Sequence, residues 1–302
     1  VYPQKADFTF YGGIYRDISL LVVSKDHIAL GHFGDTGVRI TPVLKSGKAD
    51  IRVETNVEGE GTVSVELLDA AGKTVASAEG ADAQLHLDAP HLWNGVKDPY
   101  LYTCVVRLRS SGTVVDEVST RVGLRTFSVD SKNGFFLNGK PYPLHGVSRH
   151  QDRKGLGNAI TRAMHDEDMA LIREVGANTV RLAHYQHDQY FYDLCDQYGM
   201  VVWAEIPYIS EHLPNGRENT ISQMKELIYQ NYNHPCIVCW GVSNEITIST
   251  KDKADMLDNH RELNDLCHKM DPTRLTTLAC YAMCGPFNPV AHITDLVSWN
   301  LY

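Results

Sequence analysis

The chain has 302 residues, 43% of them hydrophobic, with 28 Lys and Arg against 37 Asp and Glu for a formal charge of −9. The acidic balance is spread without long blocks, which argues against a nucleic-acid surface, and no apolar run approaches the roughly 20 residues that span a bilayer. What remains is an ordinary soluble globular protein of one large or two smaller domains.

Residues 1–30 read as a fragment of a domain lying mostly upstream. "FYGGIYRDISLLVV" is a Gly-Gly turn followed by a strand that alternates and then becomes wholly apolar. A single strand of this kind cannot fold alone. The chain opens at Val1 with neither a charged n-region nor an apolar h-region, so no signal peptide is legible, and the N-terminus is expected to have been cut away.

Residues 31–127 are β in pattern. Ile51, Val53, Thr55 and Val57 fall on one face of a run, as do Val63, Val65 and Leu67, and turn residues such as "DAAGK" separate the runs. Short period-two strands with turns between them predict an Ig-like β-sandwich, although the Cys…Trp…Cys hallmark is absent. This domain is expected to be a spacer without chemistry.

Residues 128–302 alternate strand and helix: "YPLHGVSRH", "TVRLAHY", "MVVWAEIP", "CIVCWGVSNE", "RLTTLACYA" and "LVSWNLY" as strands. The first helix is expected to turn Leu171, Ile172 and Val175 inward, the second Phe191, Leu194, Cys195 and Tyr198. The fourth carries Met256, His260, Leu263, Cys267 and Met270 and ends at Pro272. Strands apolar throughout are those of a buried parallel sheet, hence a doubly wound sheet or a (β/α)8 TIM barrel. "GLGNA" lacks the third glycine of a dinucleotide loop.

Seven cysteines lie mostly in apolar runs, and buried thiols are the simplest reading. Cys236 and Cys239 make a C-x-x-C, with Cys280 and Cys284 further on, but residues three apart on a strand face opposite ways and no Gly-rich turn is present. Zinc is the weaker alternative. Free-looking thiols favour a reducing, cytoplasmic setting, with a periplasmic or secreted one open because an upstream export signal is not visible.

Polar residues gather at the strand ends: Ser148-Arg149-His150, Arg181 with His184-Tyr185, Glu205, Asn244-Glu245, and Asn300 with Tyr302. In a barrel these C-terminal ends share the reactive rim. Glu245, held near apolar Trp240, is expected to keep a raised pKa and act as a general acid. With a second carboxylate roughly 5 Å away it could cleave a glycosidic bond with retention. The plainer readings are a surface or helix-capping acid for Glu245 and structural imidazoles for His150 and His184.

"NHPCIVCWGVSNE" closely resembles the acid/base signature of glycoside hydrolase family 2, the family of β-galactosidases and β-glucuronidases. "GVSRHQD", "GANTVRLAHY", "FYGGIYRDISL" and "LWNGVKDPYLYTCVVRL" resemble further segments of that family in the same order, with Ser148 where Asn is more usual. The resemblance implies that residues 1–30 are the C-terminal remnant of a jelly-roll sugar-binding domain and that residues 128–302 form an incomplete TIM barrel of about six strands, with Glu245 as proton donor and then base. It implies that Asn244 contacts the sugar 2-hydroxyl and that His150, Arg181 and His184 line the subsite. Tyr302 matches a tyrosine that bonds the nucleophile, and Glu205 is either a subsite carboxylate or a buried partner of Arg181.

Some family members bind magnesium just after the third strand. Here Ile209 and Glu211 stand at those places, so no metal and no cofactor are expected. The nucleophilic Glu is expected beyond Tyr302, which makes the 302 residues by themselves an inactive fragment. The expected whole is a retaining exo-β-glycosidase, a β-galactosidase by the "HQDRKG" stretch, acting on a glycoside without nucleic-acid or membrane partners and open to homo-oligomerisation. β-Glucuronidase is the alternative within the family, and a non-catalytic carbohydrate-binding module the alternative outside it.

Overall fold

Six largely apolar segments form one parallel sheet paired in chain order: β1 Gly146–Arg149, β2 Thr179–Leu182, β3 Val201–Glu205, β4 Ile237–Asn244, β5 Leu275–Cys280 and β6 Leu296–Trp299. The structure is a computed structural model that describes residue 6 and residues 8–301. Helices α1 Arg162–Glu174, α2 Gln189–Tyr198, α3 Arg217–Asn231 and α4 Lys253–Met270 follow the first four strands. All eight residues of β4 are buried, as expected of a strand covered on both faces. Among the described residues β6 does not return to β1, so the sheet is an incomplete (β/α)8 barrel of six strands.

The helices are set by their inward stripes and their ends. Asp188 caps α2 by accepting from the Tyr190 N–H, and Gly199 ends it at φ 75°. A side chain at Gly199 would also strike the Gly95 carbonyl, 2.2 Å from where its Cβ would lie. Phe191, Leu194 and Cys195 are buried as expected, whereas Tyr198 is 37% exposed. On α1 the expected face is rotated. His165, Met169 and Ile172 point inward at i, i+4 and i+7, and Leu171 and Val175 face solvent. The inward histidine is held by Arg149, so polarity there does not mean exposure.

The sandwich packs a sheet of strands 38–45, 48–55 and 82–87 on one of strands 74–79, 62–68, 102–110 and 113–122, all antiparallel. Ile51, Val53, Val63, Val65 and Leu67 form its core. Residues 8–26 contain no strand, and Ile18, Leu20 and Val22 are exposed. The strand expected after Gly13 has no ladder partner among the described residues, which is why its apolar pattern alone does not make one.

The sandwich grips the turn that enters β4. Asn233 accepts from the Ile40 N–H at 2.9 Å and donates to the Val38 carbonyl at 2.8 Å. Arg125 donates to the carbonyls of Pro235 and Ile237, and buried Trp93 donates its indole N–H to the Asp196 carbonyl at 2.9 Å. From within the barrel domain Arg274 donates to the carbonyls of Tyr232, His234 and Ile237 and to Asp271. The start of β4 is thus pinned from two sides before its other end reaches the rim.

Candidate active site

The exit from β4 is clamped as firmly as its entry. The Asn244 N–H donates to the Tyr208 carbonyl at 2.9 Å, the Ser210 N–H donates to the Asn244 carbonyl at 3.0 Å, and the Glu245 N–H donates to the Ala279 carbonyl at 2.8 Å. Under this restraint Glu245 takes φ 50°, in the left-handed region where a residue with a Cβ is disfavoured by about 1–3 kcal/mol. The bend turns the Glu245 side chain, half-buried, out of the strand and onto the rim.

Arg181 organises what surrounds it. Its Nε donates to Glu205 Oε2 at 2.9 Å and its NH2 to Glu205 Oε1 at 3.1 Å, a bidentate pair. NH2 also reaches Asn244 Oδ1 at 2.8 Å, and NH1 reaches Asn300 Oδ1 at 2.9 Å. Asn300 Nδ2 donates to Asn244 Oδ1 at 3.0 Å and to Glu245 Oε1 at 2.8 Å. With its oxygen engaged twice, Asn244 presents Nδ2 as the end able to meet a sugar hydroxyl.

Glu205 has no exposed surface and is a buried partner, of Arg181 and also of the His184 Nδ1–H. Burial pushes its carboxyl up, but the Arg181 charge and the His184 bond more than offset this and hold it below the usual carboxylate value. Of the two sequence readings of Glu205, direct substrate contact or support of Arg181, the geometry shows the second.

His150 and His184 stand side by side on the same rim, ring centroids 5.2 Å apart and nearly perpendicular. The Tyr185 hydroxyl lies 3.4 Å from His150 Nδ1. Phe8, from the N-terminal segment, packs on both imidazoles, at 4.9 Å from His150 and 5.7 Å from His184. Nothing in the sequence placed that ring at the rim. Tyr302 lies outside the described residues.

Two expectations are corrected. Trp240 is not beside Glu245: its indole N–H is bonded to Asp271 Oδ2 at 3.0 Å, on the helix side of the sheet, because strand alternation turns it outward. Arg149 does not face the rim either. It is buried against Asp168, at 2.7 Å, and donates to Nδ1 of both His165 and His187 at 3.0 Å. Asn300 is the residue that sequence reading left without a role. Its signal was an amide at a strand exit, the same position that Asn244 occupies on β4.

All seven cysteines are free and buried. Cys236 lies with Asp196 and His234, their ligand atoms within 4.8 Å of one another, while Cys239 is not in the group. Asp196 already accepts from His234 Nδ1 at 2.6 Å and from the Cys236 N–H at 3.0 Å, and burial pushes the thiol well up. The cluster is an ion pair that fixes the β4 entry turn.

A half-exposed carboxyl on the C-terminal rim, an amide with its donor end forward, two imidazoles and a fixed guanidinium can bind a polyol and transfer a proton to an ether oxygen. Residues 128–291 match the model of the glycosyl hydrolases family 2 TIM barrel domain and residues 32–125 that of glycosyl hydrolases family 2. A β-glucuronidase of Bacteroides fragilis is 39% identical over 331 aligned residues, which cover 100% of this chain and 46% of that protein. A β-galactosidase of Thermoanaerobacter pseudethanolicus is 30% identical over 286, covering 89% and 36%. The crystal structure of an FMN-binding β-glucuronidase from Facaelibacterium prausnitzii L2-6 superposes with a TM-score of 0.95 at 43% identity, over 100% of this chain and 48% of that one. The chain spans about half the length of the curated relatives it matches.

Proposed function

Because this chain belongs to glycosyl hydrolases family 2, we propose that the whole protein is a retaining exo-β-glycosidase that releases terminal β-D-glucuronosyl units. The observation that carries this reading is Glu245 on the barrel rim, anchored by Asn300 at 2.8 Å beside an Asn244 whose oxygen is already held. Glu245 protonates the glycosidic oxygen as a carboxylate attacks the anomeric carbon. It then takes a proton from the water that hydrolyses the glycosyl-enzyme. Asn244 Nδ2 is oriented to donate to the sugar 2-hydroxyl, and His150 and His184 wall the subsite.

The attacking carboxylate is assigned to a strand following β6. Glu205 is committed to Arg181 and His184, and the curated relatives are about twice as long. The 302 residues on their own are therefore inferred to be inactive. We divide the chain after residues 30 and 127 into an upstream remnant, a sandwich and the barrel portion. The matched spans 32–125 and 128–291 support that division.

Specificity for glucuronides rests on similarity to β-glucuronidases of bacteria and mammals. Arg181 is taken up by Glu205, Asn244 and Asn300, so a C6 carboxylate must find its cation elsewhere. The galactoside reading keeps support from the similar Thermoanaerobacter β-galactosidase. Nitrophenyl β-glucuronide and β-galactoside, offered to the full-length protein, decide between them by kcat/KM. Glu245→Gln is expected to lose about 100-fold or more on a substrate with a poor leaving group, and on an activated substrate, where breakdown of the glycosyl-enzyme limits turnover, azide is expected to restore part of the rate. An unchanged rate would overturn the assignment.

A further inference from the structure

We propose that Asn300 is a positioning residue that fixes which oxygen of Glu245 carries the catalytic proton. The inference rests on the glycosidase reading and deepens it. Asn300 is itself held: its backbone N–H donates to the Cys280 carbonyl at 2.9 Å, and the preceding Trp299 indole donates to the Cys284 carbonyl at 2.9 Å. Arg181 NH1 donates to its side chain at 2.9 Å. A guanidinium only donates, so the atom it meets is Oδ1 and the other end of the amide is Nδ2. Both contacts of that end, Asn244 Oδ1 at 3.0 Å and Glu245 Oε1 at 2.8 Å, are acceptors.

An amide N–H has no lone pair to offer. Glu245 Oε1 can therefore accept from Asn300 but cannot itself bear a hydrogen toward it. When Glu245 is the acid, its proton resides on Oε2. In the first step the Oε2–H bond breaks as an O–H bond forms on the departing alcohol, which keeps the electron pair of the cleaved glycosidic bond. In the second step a water O–H bond breaks and Oε2–H re-forms while the remaining oxygen bonds to the anomeric carbon, and the bond from that carbon to the nucleophilic carboxylate breaks, the carboxylate keeping the electron pair. One oxygen handles both transfers and Oε1 never leaves its anchor, so the carboxyl needs no rotation between steps. Arg181, always charged, polarises the amide from behind.

The test uses the full-length protein and a series of aryl and alkyl β-glycosides whose leaving groups span a wide range of acidity. Asn300→Ala is expected to lose about 10- to 100-fold in kcat/KM on alkyl or phenyl substrates. On the dinitrophenyl substrate, whose leaving group needs no proton, the loss is expected to be several-fold smaller. The plot of log kcat/KM against leaving-group pKa steepens. The alkaline limb of the pH profile moves up, because the carboxylate has lost a donor. Asn300→Asp keeps an acceptor for Arg181 but removes the donor, and it should show the same selectivity, which covers the case in which the alanine variant folds poorly.

Equal losses on every substrate with an unmoved pH limb would make Asn300 merely structural and overturn the proposal. Glu245→Gln, run in parallel, separates the two claims. If it too shows no leaving-group dependence, the acid assignment falls, and the role of Asn300 with it.

Discussion

Gly241 and Trp203 face each other on neighbouring strands of the barrel without room for one carbon between them. A Cβ on Gly241 would lie 2.3 Å from Trp203 Nε1 and 2.5 Å from Glu205 Cβ. The indole cannot retreat, since the Arg181 guanidinium lies over it, 4.3 Å from the ring centroid. Gly241→Ala is expected to destabilise the fold by about 1–3 kcal/mol and to lower kcat/KM by displacing the Arg181–Glu205 pair. Urea midpoints and steady-state kinetics on the full-length protein check both. An alanine variant of wild-type stability would show that the barrel interior has slack.

Arg181→Lys keeps the charge and loses the geometry. An ammonium cannot span Glu205, Asn244 and Asn300 together. Turnover is expected to fall about 100-fold or more, with KM changed less than kcat, because in the proposed mechanism the groups that lose their support act on the transition state. Arg181→Ala should in addition lower stability by about 3–5 kcal/mol, since it leaves Glu205 buried without its cation. Thermal melting distinguishes the two variants.

Acid should weaken this fold earlier than it weakens most. Burial, followed by the Arg149 charge, holds His187 well below the ordinary imidazole value and lowers His165. Burial brings His260 down to about 4. These groups are neutral in the folded state and protonate more readily once unfolded. Their contribution is complete above about pH 6.5 and is lost as pH falls toward the folded values. For His260 alone the loss approaches on the order of 3 kcal/mol near pH 4.

His234 runs the other way. Burial works against its charge, yet Asp196 raises it, so its contribution is lost as pH rises through its folded value. Melting temperatures at pH 7, 5.5 and 4.5 test the net effect. A flat profile over that span would contradict it.

Arg274→Ala should be among the most damaging substitutions far from the rim. It leaves a fully buried Asp271 without its cation and removes the Arg274 donors from the Tyr232 and His234 carbonyls at the β4 entry, while the Ile237 carbonyl keeps Arg125. The expected loss is about 3–5 kcal/mol by equilibrium unfolding. Arg274→Lys should recover only part of it, for want of enough donors in the right plane.

Sequence pattern made the sheet legible because parallel strands are apolar on both faces, and β4 is buried from Ile237 to Asn244. The rim could be read as well: Glu245, Asn244, Arg181 and His184 all stand at strand exits and meet in one network. What hydropathy could not convey was the direction of individual polar groups. His165 looks like a surface residue of α1 and is buried because Arg149 lies beneath it. Trp240 adjoins Glu245 in the chain but faces Asp271, and Phe8 reaches the site from more than a hundred residues away. Contacts between distant segments leave no periodic trace.

Under the proposed acid/base role, the left-handed backbone at Glu245 sets durability against turnover at this one position. Asparagine tolerates φ 50° better than glutamate does. Glu245→Asn should therefore melt slightly above the parent while turning over almost nothing, and a selection for heat resistance alone would drift toward a dead enzyme here.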